Sequence, residues 1–153
     1  MFSIIIPTFN NIDYLKLCIS SIKKNSKYNH EIIVHINKGN DGTLDFIKKE
    51  NIKFTYTEYN AGICEGVNIA SKNSTKSYIL YSHDDFYFCP DWDIVLEKEI
   101  KFLNTELFYL SGTMIQNGQV ILDCGENLKT FNEQKLLKNY KLIKFHDFQG
   151  STW

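Results

Sequence analysis

Four short, largely apolar runs, each closing on a polar turn that leads into a segment of helical periodicity, constrain this chain more than any other feature. They are Phe2–Ile6, Ile32–Ile36, Lys53–Thr57 and Tyr78–Tyr81. A run such as Ile4-Ile5-Ile6, without polar alternation, suits a strand covered on both faces. Between the runs, Ile12, Leu15, Ile19 and Ile22 recur at spacings of three and four, which predicts a helix over residues 12 to 24 capped by Asn10 or Asn11. A short helix is expected from Thr43 to Lys49, another from Asn60-Ala61-Gly62 to Lys72, and a fourth after Asp91 with Trp92, Val95, Leu96 and Phe102 on it. Strand and helix alternating in this way indicate an α/β fold with a mostly parallel sheet flanked by helices. The pattern then changes. Phe108–Ile115 and Gln119–Asp123 flank Asn117-Gly118, a hairpin signal, and a helix from Leu128 to Lys138 and a strand from Lys141 to Phe145 are expected after it.

The chain has 153 residues, enough for one domain with a real core, and 43% hydrophobic residues argue against disorder. A formal net charge of −1, with neither sign gathered into a block, removes the footprint of a nucleic-acid binder. All 17 basic residues are lysine, so a bound diphosphate would meet point charges or a metal ion, because arginine's planar fork is missing. Cys18, Cys64, Cys89 and Cys124 form no CxxC pair, which leaves zinc-ribbon and redox readings without support. No apolar stretch approaches the ~20 residues of a membrane-spanning helix. A cytoplasmic chain, at most peripheral to a membrane, is the expectation.

Ligands of open α/β sheets sit beyond the carboxyl ends of the strands. Four polar clusters fall there: Pro7-Thr8-Phe9-Asn10, Asn37, Asn60-Ala61-Gly62 and His83-Asp84-Asp85. Adjacent carboxylates repel until a divalent cation sits between them and a phosphate, which makes Asp84-Asp85 the metal candidate and Mg²⁺ or Mn²⁺ the candidate ion. Gly62 at a helix start allows backbone amides to approach a phosphate.

Several stretches together carry a resemblance: Ile4 to Asn10; Glu31 to Val34 followed by Asn40-Asp41-Gly42-Thr43; Asn60 to Ile63 with Asn68; and Tyr78 to Asp85 with Pro90. In order and spacing they resemble family 2 glycosyltransferases. The resemblance implies a GT-A-like, Rossmann-like nucleotide-binding fold, a nucleoside-diphosphate sugar donor, a DXD-type metal motif and inverting transfer to a glycan, lipid or protein acceptor, with polysaccharide biosynthesis as the setting. By position it places Pro7, Thr8 and Phe9 in the nucleoside pocket. Asn37 falls where the family usually has an aspartate that reads the base, and its amide suits uracil better than guanine, so a UDP-sugar is expected. His83 replaces the first aspartate of the usual motif, leaving Asp84 to the ribose or the metal and Asp85 as the direct metal ligand. Residues 1–103 then form the nucleotide-sugar half of a single domain and residues 104–153 begin the acceptor side.

An inverting transferase needs a base for the acceptor hydroxyl. None matches here: Asp123, Glu126 and Asp147 lack the family context. The expectation is therefore an incomplete transferase, with a non-catalytic sugar-nucleotide-binding module as the alternative. A nucleotidyltransferase would need a Gly-rich, arginine-bearing first loop and a dehydrogenase GxGxxG, and Pro7-Thr8-Phe9-Asn10 is neither.

Overall fold

The computed structural model describes residues 1–112, 114–115 and 122–143. The chain divides into two compact units, one from Met1 to Asp93 and a second beginning at Ile94.

The first unit holds β1 (Phe2–Thr8), α1 (Ile12–Asn25), β2 (Glu31–Asn37), α2 (Thr43–Lys49), β3 (Lys53–Thr57), α3 (Gly62–Ser71) and β4 (Tyr78–Tyr81). The strands form one parallel sheet in the order β3-β2-β1-β4. β1 is buried along its whole length, as its unbroken apolar run requires. It extends two residues past the predicted end, through Pro7, although proline cannot donate to a ladder. Register explains why. β4 pairs with β1 only from Phe2 to Ile5, and Ser82 N donates to Ile5 O at 3.0 Å. Two residues on, Pro7 faces the same side where that ladder has ended, so its missing N–H leaves no partner unsatisfied.

Helix α3 packs on β1 and β2, where Ala70 and Val67 meet Ile5 and Ile33. Its Gly66 lies against His35 on β2; a Cβ there would come within 2.5 Å of the ring's Cδ2. The fully buried imidazole is satisfied by threonines: Nδ1 bonds Thr55 Oγ1 at 2.8 Å and Nε2 bonds Thr57 Oγ1 at 3.4 Å. At the amino ends of the strands, Glu31 accepts from Ser3 Oγ, Lys53 Nζ and the Thr75 N–H and hydroxyl. Burial alone would raise its pKa, but these donors hold it down at about 2.

These groups give the fold a definite pH dependence. Burial pushes His30 and His35 below the ordinary value of 6.5, so the unfolded chain binds protons near that pH that the folded chain refuses. Stability from these histidines is lost as pH falls below 6.5. Glu31 contributes stability above its ordinary 4.5 that disappears as pH falls towards 2. We expect Tm to fall between about pH 7.5 and about pH 5 and again below about pH 4; a flat Tm over the first interval would contradict the histidine assignment.

The second unit carries most of α4 (Trp92–Leu103), which begins at the end of the first unit, then α5 (Glu133–Asn139) and a 3₁₀ turn at Tyr140–Leu142. The sequence reading needs correction here. Residues 108–112, 114 and 115 form no strand, and a strand exists only through its partner's hydrogen bonds. Asn117-Gly118, the hairpin turn, and residues 119–121 lie outside the described residues. The predicted helix from Leu128 starts instead at Glu133: Thr130 Oγ1 takes the N–H groups of Glu126 and Asn127 in a turn, and Asn132 caps by accepting Lys135 N at 2.9 Å. The strand expected from Lys141 is a 3₁₀ turn through Leu142, and residues 144 and 145 lie outside the described residues.

Candidate functional site

From β1 the chain winds outward through β2 to β3, then returns to place β4 on the other side of β1. The loops after β1 and β4 therefore diverge, which opens a crevice at the carboxyl ends of the strands. A cleft of about 410 Å³ lies there. Pro7, Thr8, Phe9, Asn37, Gly62, His83 and Asp84, all nominated from sequence, line it together with Asn10, Asn11, Asn60 and Ile63. A second cleft of about 300 Å³, reaching Asp41, Thr43 and Tyr56, shares Thr8, Asn10 and Asn37 with it.

Asp84 joins the two diverging loops. Thr8 Oγ1 donates to its Oδ2 at 2.6 Å and Asn11 Nδ2 donates to its Oδ1 at 2.9 Å. Burial raises the Asp84 pKa, the two donors work against that, and the neighbouring Asp85 charge adds to the rise. Asp85 is exposed, and among the described residues its carboxylate takes no hydrogen bond or ion pair. No group of three or more His, Cys, Asp and Glu side chains converges as a metal-ligating set among the described residues.

Asn11 occupies the cap position of α1 but its side chain makes no cap bond to the helix; its Nδ2 donates instead to Asp84. Asp41 replaces it from another loop: Oδ2 accepts Ile12 N at 2.9 Å while Oδ1 accepts Thr43 N at 3.1 Å. One carboxylate thus serves the starts of α1 and α2, and those N–H groups offset its burial and leave its pKa below the ordinary range. Asn10, at φ 50°, adds a further link by accepting Asn40 N at 2.9 Å. Sequence reasoning missed Asp41 and Asn11 as organisers of the cleft. Asp41-Gly42-Thr43 signals a helix start, but nothing local reports that its carboxylate also reaches Ile12.

Asn37 is 3% exposed and its amide is held by backbone at both ends. Nδ2 donates to Thr8 O at 3.2 Å and Oδ1 accepts Ala61 N at 2.7 Å. The sequence reading assigned that amide to a base edge; here it ties the end of β1 to the loop before α3. Phe9, 47% exposed, lines the cleft. Gly62 takes φ +71° with no atom within 4 Å of where a Cβ would stand, so its backbone angle, not crowding, requires glycine.

His83 is held on two sides. Its Nε2 is 2.9 Å from Tyr81 Oη, and its ring stacks on Phe86 at 5.0 Å between centroids. Of the carboxylates weighed as a base, Asp123 accepts Gly125 N at 2.8 Å in a turn of the second unit, Glu126 is exposed there, and Asp147 lies outside the described residues.

The model of the family described as glycosyl transferase family 2 matches residues 3–153. An uncharacterised glycosyltransferase of Rickettsia felis is 30% identical over 149 residues, covering 92% of this chain and 23% of that protein. Among solved structures, S. aureus TarS 1–349 in complex with UDP-GlcNAc matches 67% of this chain and 31% of its own at a TM-score of 0.57 and 25% identity. The mannosyltransferase PcManGT of Pyrobaculum calidifontis, in complex with GDP-Man and Mn²⁺, matches 68% of this chain and 32% of its own at 0.55 and 18%. The chain therefore spans less than half the length of each of these proteins.

Proposed function

Because the chain belongs to glycosyl transferase family 2 and has its GT-A-like α/β fold, we propose that the switch-point cleft binds a nucleoside-diphosphate sugar and that the protein transfers the sugar, with inversion, to an acceptor hydroxyl. One observation carries this reading. Residues from four separate strand ends, Thr8, Asn37, Gly62 and His83 among them, converge on one cleft. Residues 1–103 are assigned to donor binding and residues 104–153 to the start of the acceptor side. Among the described residues no helix is long and apolar enough to cross a membrane.

In this reading the exposed Phe9 ring stacks against the base or ribose. The start of α3 at Gly62 aims backbone N–H groups and the positive end of the helix dipole at the diphosphate. Asp84, held by Thr8 and Asn11, fixes the spacing of the loops that grip the nucleoside. A divalent ion suits the donor set: Mg²⁺ and Mn²⁺ accept one or two carboxylates completed by substrate phosphates and water, and Asp85, exposed and without a partner among the described residues, supplies one. Asp84, each of whose oxygens already accepts a bond, is the second ligand. When bound, such an ion neutralises the charge on the departing diphosphate, a role no arginine is present to share. A uridine donor is favoured by the likeness to TarS, whose complex holds UDP-GlcNAc, and no longer by the Asn37 amide.

Calorimetric titration tests the reading. UDP or UDP-GlcNAc is expected to bind, more tightly than GDP and more tightly with Mn²⁺ than without. Absence of binding by every nucleotide would reject the donor site, and tighter GDP would reject the uridine assignment. Slow hydrolysis of the bound donor separates a transferase from a module that only binds.

A further inference from the structure

Within the donor-binding reading above, on which it rests, the geometry points to Tyr81 as a positioning residue that sets the tautomer of His83. Through it His83 offers a single N–H, on Nδ1, to an oxygen of the bound nucleotide sugar. His83 lines the cleft, but its Nε2 lies 2.9 Å from the Tyr81 hydroxyl. Nε2 is thus occupied from within the protein, and Nδ1 is the ring nitrogen left for a ligand. The stack on Phe86 and the tilted contact with Tyr81, 5.1 Å between centroids, hold the ring plane.

Chemistry decides which way the Tyr81 bond runs. A phenol is a good donor and a weak acceptor, because its oxygen lone pair is shared with the ring, while a neutral imidazole offers one accepting and one donating nitrogen. Tyr81 O–H therefore donates to Nε2, and the ring N–H is the one on Nδ1. A ring in that tautomer gives a donor towards phosphate or hydroxyl oxygen and has no Nδ1 lone pair for a metal ion. This separates His83 from Asp85: the imidazole serves the nucleotide and the carboxylate serves the ion. It also supplies an N–H donor in a chain whose basic residues are all lysine.

Amide isosteres read out the two nitrogens. The Asn side-chain N–H stands near the place of Nδ1, and the Gln N–H near that of Nε2. Titrated with UDP and with UDP-GlcNAc, His83→Gln is expected to bind about tenfold more weakly, the loss of roughly one hydrogen bond. His83→Asn should recover most of that loss, and Tyr81→Phe should lose severalfold. In ¹⁵N spectra of the full chain, His83 should show Nδ1–H, and the Tyr81→Phe variant should shift towards the Nε2–H form, which a merely structural tyrosine would not cause. A wild-type Nε2–H tautomer, or equal binding by all four proteins, overturns the inference and leaves the donor site standing. Failure of the wild type to bind either nucleotide overturns both.

Discussion

Asp93→Ala is expected to lower the unfolding free energy by about 3–5 kcal/mol, a large share of what a domain of this size has. The Asp93 carboxylate is fully buried and accepts from Lys27 N at 2.8 Å, Tyr28 N at 2.9 Å and His30 Nε2 at 3.1 Å, among other contacts. Phe2 N donates to His30 Nδ1 at 3.4 Å, so the ring proton sits on Nε2 and points at the carboxylate. Trp92, at 4.9 Å between ring centroids, and Phe2, at 5.4 Å, flank the same imidazole and keep water away. Alanine strands two backbone N–H groups and one imidazole N–H in that enclosure, each costing about 1–3 kcal/mol before the site relaxes. Asp93→Asn keeps one accepting oxygen and should lose less than half as much. Burial by itself would raise the Asp93 pKa, but the Tyr28 and Lys27 N–H groups and His30 hold it below its ordinary 3.8. The wild type therefore loses this contribution as pH falls below 3.8, and the variants have less to lose there. Urea midpoints at constant m-value measure the effect; an alanine variant within about 1 kcal/mol of wild type would show that the pocket rehydrates.

Asp85→Asn is expected to leave stability within about 0.5 kcal/mol of wild type, because the side chain is exposed and without a partner among the described residues. The loss should fall on the ion. An amide offers a neutral oxygen where a carboxylate offers charge, so the Mn²⁺-dependent part of UDP-GlcNAc binding should drop by at least about tenfold while metal-free binding persists. An unchanged Mn²⁺ effect would remove Asp85 from the metal assignment. Asp84→Asn should behave differently and weaken metal-free binding too, since the Thr8 and Asn11 bonds that set the cleft width depend on that carboxylate.

These three aspartates show where sequence was informative. Asp84-Asp85 was legible as a candidate because it follows Tyr78–Tyr81, at the carboxyl end of a parallel strand where ligands of such sheets bind, and Asp84 does line the cleft. Asp93 was not legible at all. In sequence it is one acidic residue near the start of a helix, and donors to it come from Lys27, Tyr28 and His30 across the fold. Asn11 was misread for the same reason: a local rule makes its side chain a helix cap, while the bond it makes runs from Nδ2 to a carboxylate at another strand end. Past α4 the local signals had no parallel sheet to anchor them, and there strand and helix limits were misplaced.

By itself the sequence determined the strands and helices of the first unit and the loops that line the cleft. Burial on both faces forces continuous apolar runs, and a parallel sheet collects their carboxyl ends on one rim. Tertiary structure alone decided what each polar side chain there does. Asn37 and Asp84 hold loops together, Asp41 caps two helices, Tyr81 holds His83, and Asp85, next to Asp84 in sequence, stays exposed. A side-chain amide or carboxylate has a few bonds to give, and whether backbone or ligand receives them depends on neighbours that are distant in sequence.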